Sequence, residues 1–530
     1  MTFAKIILLA AVLSMVGVTR GQAISRACDR TEDAAALSAA AAVGAVSESP
    51  PVATDVEDVA ATAELSARSG YWVLENETID TAVEVAQTEV AGNDKRAMPN
   101  FAVVCVDAVD DKTAAAGTGH PRAPTAVGAW PENLPRNAKM PDKTYLRRVG
   151  DELIGYPGRT DARFPEAREY MDIYLNNIGD PYASPTNHKP NTHTEERTVV
   201  EFFAKDIWGF EDPTQLWGYV TASGTEGNLQ GCYIGREILA AKSGGAVQPI
   251  LYTSVEAHYS LFKTARLLNL RIEKIETDAR GFMNMQEFEK ALERNRGFPA
   301  LVATTIGTTM KGAIDWPERL YQALEHTGMQ DNYYMHVDGA LMGNVLPLAR
   351  AEGSGGNGFD LQAQLKYAHS ISVSGHKFMG VPFPCGVFLS WNREHLEAIT
   401  QEVQYIGGHD LTVMGSRSGH SVLYFLEAII REGRAGLAAA ARSCLQNAHY
   451  LLGRMQREFS HRQPFLNPDS LTVVFNCPSD ALVEKHQLAT TTPACGTRIA
   501  HIITVGHVSK AKIDRFLDDL KVEEATREYL

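Results

Sequence analysis

Several things are scarce in this sequence, and each scarcity removes a class of function. The 530 residues hold seven cysteines, at positions 28, 105, 232, 385, 444, 477 and 495. They are odd in number, widely scattered and form no CxxC pair, so neither a disulfide framework nor a metal site is suggested, and the core reads as reduced. Positive charge is also short: 50 Lys and Arg against 64 Asp and Glu leave a net charge of −14. That balance argues against nucleic acid as a partner and against a basic membrane-binding face. No P-loop and no internal repeat is present. Gly353, Gly355 and Gly358 spell GxGxxG, but inside AEGSGGNGFD, with no strand before it, the match reads as loop composition.

What is present begins with a 44% hydrophobic content, enough for a large water-soluble core in more than one lobe. Residues 1–23, MTFAKIILLAAVLSMVGVTRGQA, have the layout of a signal peptide: a lysine, an apolar run from Ile6 to Val18, then the small residues Gly21 and Ala23. The run is short for a bilayer span of ~20 residues, so no stable membrane anchor is expected. The expectation is the secretory route or an organelle, with a cytoplasmic location as the alternative; an Asn76-Glu77-Thr78 sequon matters only on that route. Residues 24–140, with runs such as AAALSAAAAVGAV, read as a low-complexity, mostly disordered leader.

From MPDKTYLRRVGDELIGYPG onward the texture is globular. Apolar strand candidates alternate with amphipathic helices: PILYT then HYSLFKTARLLNL, RIEKIET then MQEFEKALERN, ALVATTIGTT then WPERLYQALEHTG, followed by NYYMHVD, SISVS and GVFLS. Such alternation predicts βαβ units and a largely parallel sheet. After about Ile399 a long helical stretch, the strands LTVVFNC and HIITVG, and a closing helix predict a second, smaller α+β lobe.

Four strand ends carry chemistry. In SISVSGHKFMG, Lys377 follows a short buried strand, where open α/β sheets bind ligands; most lysines are merely solvated charges. In GYVTASGTEGN, Ser223, Gly224 and Thr225 precede a helix whose free N–H groups suit a phosphate; a plain N-cap explains them as well. Asp338 ends NYYMHVD, where a buried carboxylate needs a cation or good donors, or serves as a turn residue before Gly339. His258 opens a helix, either as a cap or as a flat ring over a planar ligand. Singly each is weak. Together, a lysine for a Schiff base, a carboxylate for a pyridine nitrogen and a helix terminus for a phosphate are the parts for pyridoxal 5′-phosphate.

The runs GTEGN, EAHYSLFKTAR, IGTTMKGAID, HVDGALMG and SVSGHKFMGVPFPCG, in this order, resemble the group II pyridoxal-phosphate amino-acid decarboxylases, nearest the branch of plant serine decarboxylases and bacterial histidine decarboxylases. The resemblance runs from about Tyr145 to the carboxyl terminus. It implies an α/β protein of pyridoxal-phosphate fold type I, like aspartate aminotransferase: an N-terminal segment of the catalytic region (141–200), a large cofactor domain (201–400) and a small C-terminal domain (401–530). It implies a homodimer that converts serine to ethanolamine or histidine to histamine. Another lyase or aldehyde-forming enzyme of this fold, and a binding protein without activity, are the alternatives.

By that resemblance Lys377 holds the cofactor, Asp338 pairs with the pyridine nitrogen, Ala340 packs beneath the ring and His258 stacks above it. Gly224, Thr225, Ser374 and His376 contact the phosphate, with Ser223 beside them; Thr308 and Thr309 approach the cofactor. Asn176, Gly179 and Asp180 fall in a substrate-entry segment, and Ser416 of MGSRSGH reaches a neighbouring subunit's site. Two departures stand out: Ala222-Ser223 replace a common Asn-Cys, and Ser418 replaces a common asparagine.

Overall fold

The computed structural model describes residues 140–530, apart from 184–186, 351–358, 392–395, 397–398, 494–495 and 529–530. The signal-like segment, the leader up to residue 139, the sequon at Asn76 and the GxGxxG glycines lie outside the described residues.

Seven strands form the main sheet: β1 (Leu216–Thr221), β2 (Ile250–Ser254), β3 (Ile272–Ile275), β4 (Ala300–Thr305), β5 (Tyr333–Asp338), β6 (Ser370–Ser374) and β7 (Gly386–Trp391). Their order is β1-β7-β6-β5-β4-β2-β3. The β2–β3, β2–β4, β4–β5 and β5–β6 pairs are parallel. β1, β2, β4 and β6 are buried along their whole length, as expected of a sheet covered on both faces. The covering helices include α1 (His193–Phe202), α2 (Gly224–Lys242), α3 (Tyr259–Leu267), α4 (Met285–Arg294), α5 (Pro317–His326) and α6 (Met342–Ala349).

β7 runs antiparallel to both neighbours. Only residues 375–385 separate it from β6, too little chain for a helical crossover, so the chain turns back on itself. Because β7 reverses and β1 reverses again, β1, β2, β4, β5 and β6 all present their carboxyl ends at one edge of the sheet.

Helix α2 lies close on β5 and β6 because small residues face each other. A Cβ on Gly227 would sit 2.5 Å from Ser372 Cβ, and one on Gly231 would sit 2.7 Å from Cγ and Cε1 of His336. The glycines that lower helix propensity are what permit this approach.

The C-terminal part contains an antiparallel sheet of β10 (Phe465–Leu466), β11 (Thr472–Asn476), β12 (Ala489–Thr491) and β13 (Ile499–Ile503), ordered β10-β11-β13-β12. A two-stranded ribbon, β8 (Gln401–Val403) with β9 (Gly408–Asp410), precedes it. Helix α7 (Gly419–Glu458) is the long helical stretch expected after Ile399, and it breaks at Gly433, whose φ of 56° and ψ of −178° fall where glycine is favoured. Helix α8 (Lys510–Glu528) buries Ile513, Phe516, Leu517 and Leu520, and Phe516 meets Phe475 of β11 at 5.6 Å between ring centroids. No helix among the described residues is long and apolar enough to cross a membrane.

Candidate active site

β5 delivers Asp338 to the sheet edge, 2% exposed. Its Oδ1 accepts from the Ala340 N–H at 3.1 Å and its Oδ2 from Asn228 Nδ2 at 2.8 Å. The carboxylate therefore carries two donors and still has lone pairs to spare. One strand over, in register, Asp338 lies opposite Ser372, and the chain leaves β6 through a single widened helical turn, Gly375–Met379, that carries Lys377. Burial pushes the Lys377 amine below the usual lysine range, and the Asp338 charge opposes that shift. Such an amine gives up its proton more readily and is a better nucleophile.

His258 caps α3: its Nδ1 accepts from the Ser260 N–H at 3.3 Å and lies 2.8 Å from Ser260 Oγ. Burial lowers its pKa, Asp338 raises it, and Lys377 and Lys263 lower it again. Lys377, Asp338 and His258 thus lie within one another's electrostatic reach, although they come from three different strand ends.

At the amino end of α2, Ser223 Oγ accepts from the Glu226 N–H at 3.3 Å, so this hydroxyl caps the helix. The N–H groups of Gly224 and Thr225 have no acceptor within the helix by its geometry. A Cβ on Gly224 would fall 2.7 Å from Ser374 Oγ and 3.7 Å from Ala340 Cβ. Gly224, Ser374 and Ala340 therefore converge, and only a residue without a side chain leaves this cradle open beside two free N–H groups. An amine, a carboxylate, a flat imidazole and an anion cradle around one sheet edge fit pyridoxal phosphate. His376 is held by the backbone of Cys385, with Nδ1 3.2 Å from the carbonyl oxygen. Burial and the Lys377 charge lower its pKa.

The Thr308 hydroxyl accepts from the Ala313 N–H within its own loop at 3.0 Å, which leaves its O–H able to donate. Thr309 instead lines a cavity of about 280 Å³ together with Glu256, His258, Lys311 and Thr491, in which Lys311 Nζ pairs with Glu256 Oε1 at 2.6 Å.

Asn176 and Ser416 are brought together, Nδ2 to Oγ 3.1 Å, and Asn176 forms a bridge with Ser418. Gly179 O accepts from Arg417 Nη2 at 3.0 Å. Asp180 faces inward: its Oδ1 accepts from Trp217 Nε1 and the Tyr182 N–H, each at 2.9 Å. Ser416 and Ser418 line a small cavity with Ala222 and Glu226, which joins this loop to the start of α2.

Sequence reasoning passed over Asn228, His336, Ser260 and the Glu196–Arg417 ion pair. Arg417 and Glu196 are both buried and paired; Glu196 also accepts from the Val220 N–H and from Asn177 Nδ2, each at 2.8 Å. One signal was available for His336: it stands two residues before Asp338 on β5 and so shares its face.

Three comparisons with known proteins bear on this arrangement. Residues 239–477 match the family model described as the pyridoxal-dependent decarboxylase conserved domain. Serine decarboxylase 1 of Oryza sativa subsp. japonica is 36% identical over 374 residues, 70% of this chain and 72% of the relative. Histidine decarboxylase of Vibrio campbellii is 36% identical over 373 residues, 69% of this chain and 89% of the relative. Among solved structures, an L-methionine decarboxylase from Streptomyces sp. 590, in complex with L-methionine methyl ester, superposes with a TM-score of 0.63 at 24% identity, over 71% of this chain and 92% of that one. That superposition supports the fold, a pyridoxal-phosphate fold of type I.

Proposed function

The chain belongs to the pyridoxal-dependent decarboxylase family, and from that premise we propose that it releases carbon dioxide from a small polar L-amino acid, serine first and histidine second. The observation that carries the reading is the placement of Lys377, half-buried on the turn that leaves β6, within the charge of Asp338 at the end of the neighbouring strand β5. Bound pyridoxal phosphate supplies the electron sink into which the bond to the carboxylate breaks.

The protein's own residues do the rest. Lys377 offers a partly desolvated amine as the covalent anchor. Asp338, acceptor-only and fixed by two N–H donors, holds a proton on the partner that faces it. The amino end of α2, with Gly224, Thr225 and Ser374, takes the anion, and His376 lies close by. Ala340 and His258 flank the flat group. The cavity bordered by His258, Thr309 and the Lys311–Glu256 pair offers room and polar partners for a short hydrophilic side chain. Asn176, Asp180 and Ser416 stand at the entry, Asp180 by shaping it rather than by contact.

Carbon dioxide release from serine and histidine, side by side, with aromatic amino acids and glutamate as controls, tests the reading. Release from serine or histidine with formation of the amine is expected. No release from either overturns it, and an aldehyde product in place of the amine favours the other lyase chemistry.

A homodimer is part of the proposal. Tyr170, Met171, Ile173 and Tyr174 are 45–66% exposed and are tied to α7 through His420 Nε2, which sits 3.1 Å and 2.9 Å from the Tyr170 and Ile173 carbonyl oxygens. A second copy would cover this band; a monomer mass by light scattering contradicts it. Targeting through residues 1–23 is a separate proposal: protein recovered from its host is expected to begin near residue 24, and retention of Met1 refutes cleavage.

A further inference from the structure

Beneath the site lies a run of buried polar side chains that the proposed reaction does not use. Asn228 is 1% exposed and His336 is fully buried. Asn228 Nδ2 donates to Asp338 Oδ2 at 2.8 Å and to Ser260 Oγ at 3.0 Å. Its Oδ1 accepts from Ser372 Oγ at 2.8 Å and lies 3.0 Å from His336 Nε2. His336 Nδ1 lies 2.9 Å from Ser370 Oγ.

The proton positions follow by elimination. A carboxylate only accepts, so the Asn228 amide must turn its nitrogen to Asp338. Its oxygen then needs donors, which puts the His336 proton on Nε2 and makes Ser370 donate to Nδ1. Burial lowers His336 to about 4, so the ring stays neutral and this order holds near neutral pH. On the other side, Ser260 Oγ accepts a hydrogen bond from Asn228 and has its own O–H to donate. Its remaining neighbour is His258 Nδ1, 2.8 Å away, which also accepts from the Ser260 N–H.

We propose that Asn228 is a positioning residue for both sides of the site: one N–H orients the Asp338 carboxylate, and the other, through Ser260, keeps the His258 proton on Nε2. This rests on the reading that Asp338 and His258 flank the cofactor. Asn228 therefore acts with the Ser260 N–H, which also donates to Nδ1, to leave Nε2 as the His258 donor. Gly227 and Gly231 serve the same end, since only glycine at 231 leaves space for the His336 ring under α2.

Asn228→Asp makes the test, because it replaces the donor by an acceptor of the same shape. The Ser260 hydroxyl then turns toward position 228, only the Ser260 N–H remains to hold the proton off His258 Nδ1, and the Nδ1–H form gains population. The new carboxyl also meets Asp338 at hydrogen-bond distance, so the two share a proton. The titratable groups that face position 228 are Asp338 and His336; those that act on His258 are Asp338, Lys377 and Lys263.

The experiment uses the full chain labelled with 15N-histidine, without cofactor, with the His258 signal assigned by its loss in His258→Gln. The expected result is the Nε2–H tautomer in the wild type, a shift of the population toward Nδ1–H in Asn228→Asp, and return of the wild-type signal in Asn228→Asp/Ser260→Ala, where the link is cut. An unchanged tautomer in Asn228→Asp overturns the proposal. Should that variant fail to fold, Asn228→Ala is titrated with pyridoxal phosphate and followed by visible absorbance. Loss of one bond to a charged group predicts ~10- to 100-fold weaker binding, and wild-type affinity overturns the proposal. A wild type that binds no pyridoxal phosphate refutes the functional reading instead and leaves the tautomer result standing.

Discussion

Replacing Gly231 by alanine should destabilise the protein, although the same change inside a helix ordinarily stabilises it by about 0.5–1 kcal/mol. The reversal comes from His336. A Cβ at 231 would lie 2.7 Å from two ring carbons and closer still to Nδ1, about 1 Å inside normal carbon contact. The ring cannot swing away without breaking its bonds to Asn228 and Ser370. Overpacking of this kind costs ~1–3 kcal/mol, which exceeds the helix gain. Gly453, in α7, is the matched control, for there the nearest atom to a new Cβ is the mobile Arg457 guanidinium at 3.4 Å. Urea unfolding of both variants should place Gly231→Ala below the wild type and Gly453→Ala level with it or slightly above. If Gly231→Ala is as stable as Gly453→Ala, the close contact between α2 and β5 is wrong, and the order of protons built on it falls with it.

Lys377→Ala should abolish turnover in a carbon dioxide release assay while leaving the unfolding midpoint near that of the wild type or higher, since a partly desolvated amine is removed. Arg417→Met leaves the Glu196 charge buried without its partner, so a loss of about 3–5 kcal/mol in chemical denaturation is expected; a loss below 1 kcal/mol contradicts that accounting. Asp315 is pushed up to about 7 by burial, with the N–H donors of Met283 and Thr305 acting the other way. The folded state therefore holds this proton more tightly than the unfolded chain, and the stability it contributes is present below the unfolded pKa of 3.8 and fades as pH rises toward 7. The slope is at most about 1.4 kcal/mol per pH unit, and Asp315→Asn should flatten it; an unchanged slope between pH 4 and 7 refutes the assignment.

The parts of this molecule legible in the sequence are those encoded locally. Strands β2, β4, β5 and β6 announce themselves as short apolar runs, and each ends in, or is followed within four residues by, the polar residue it delivers to the sheet edge. A strand end and the turn after it are close in the chain, so pattern and chemistry could be read together. The reversal of β7 was less plain, although the eleven residues after Ser374 already left too little chain for a crossover. The Asn228–His336 run was hidden for a different reason. Asn228 and His336 are 108 positions apart, and their bond at 3.0 Å exists only once α2 is laid on β5. The glycines at 224, 227, 231 and 235 were a trace of it, since a helix so rich in glycine on one face must lie close against something.

The central claim is that the ε-amino group of Lys377 and the carboxylate of Asp338 serve one bound pyridoxal phosphate. The full chain, loaded with pyridoxal phosphate and treated with borohydride, should carry a reduced pyridoxyl group on the peptide containing Lys377 and lose it in Lys377→Ala. A pyridoxyl group on some other lysine, or on none, contradicts the account.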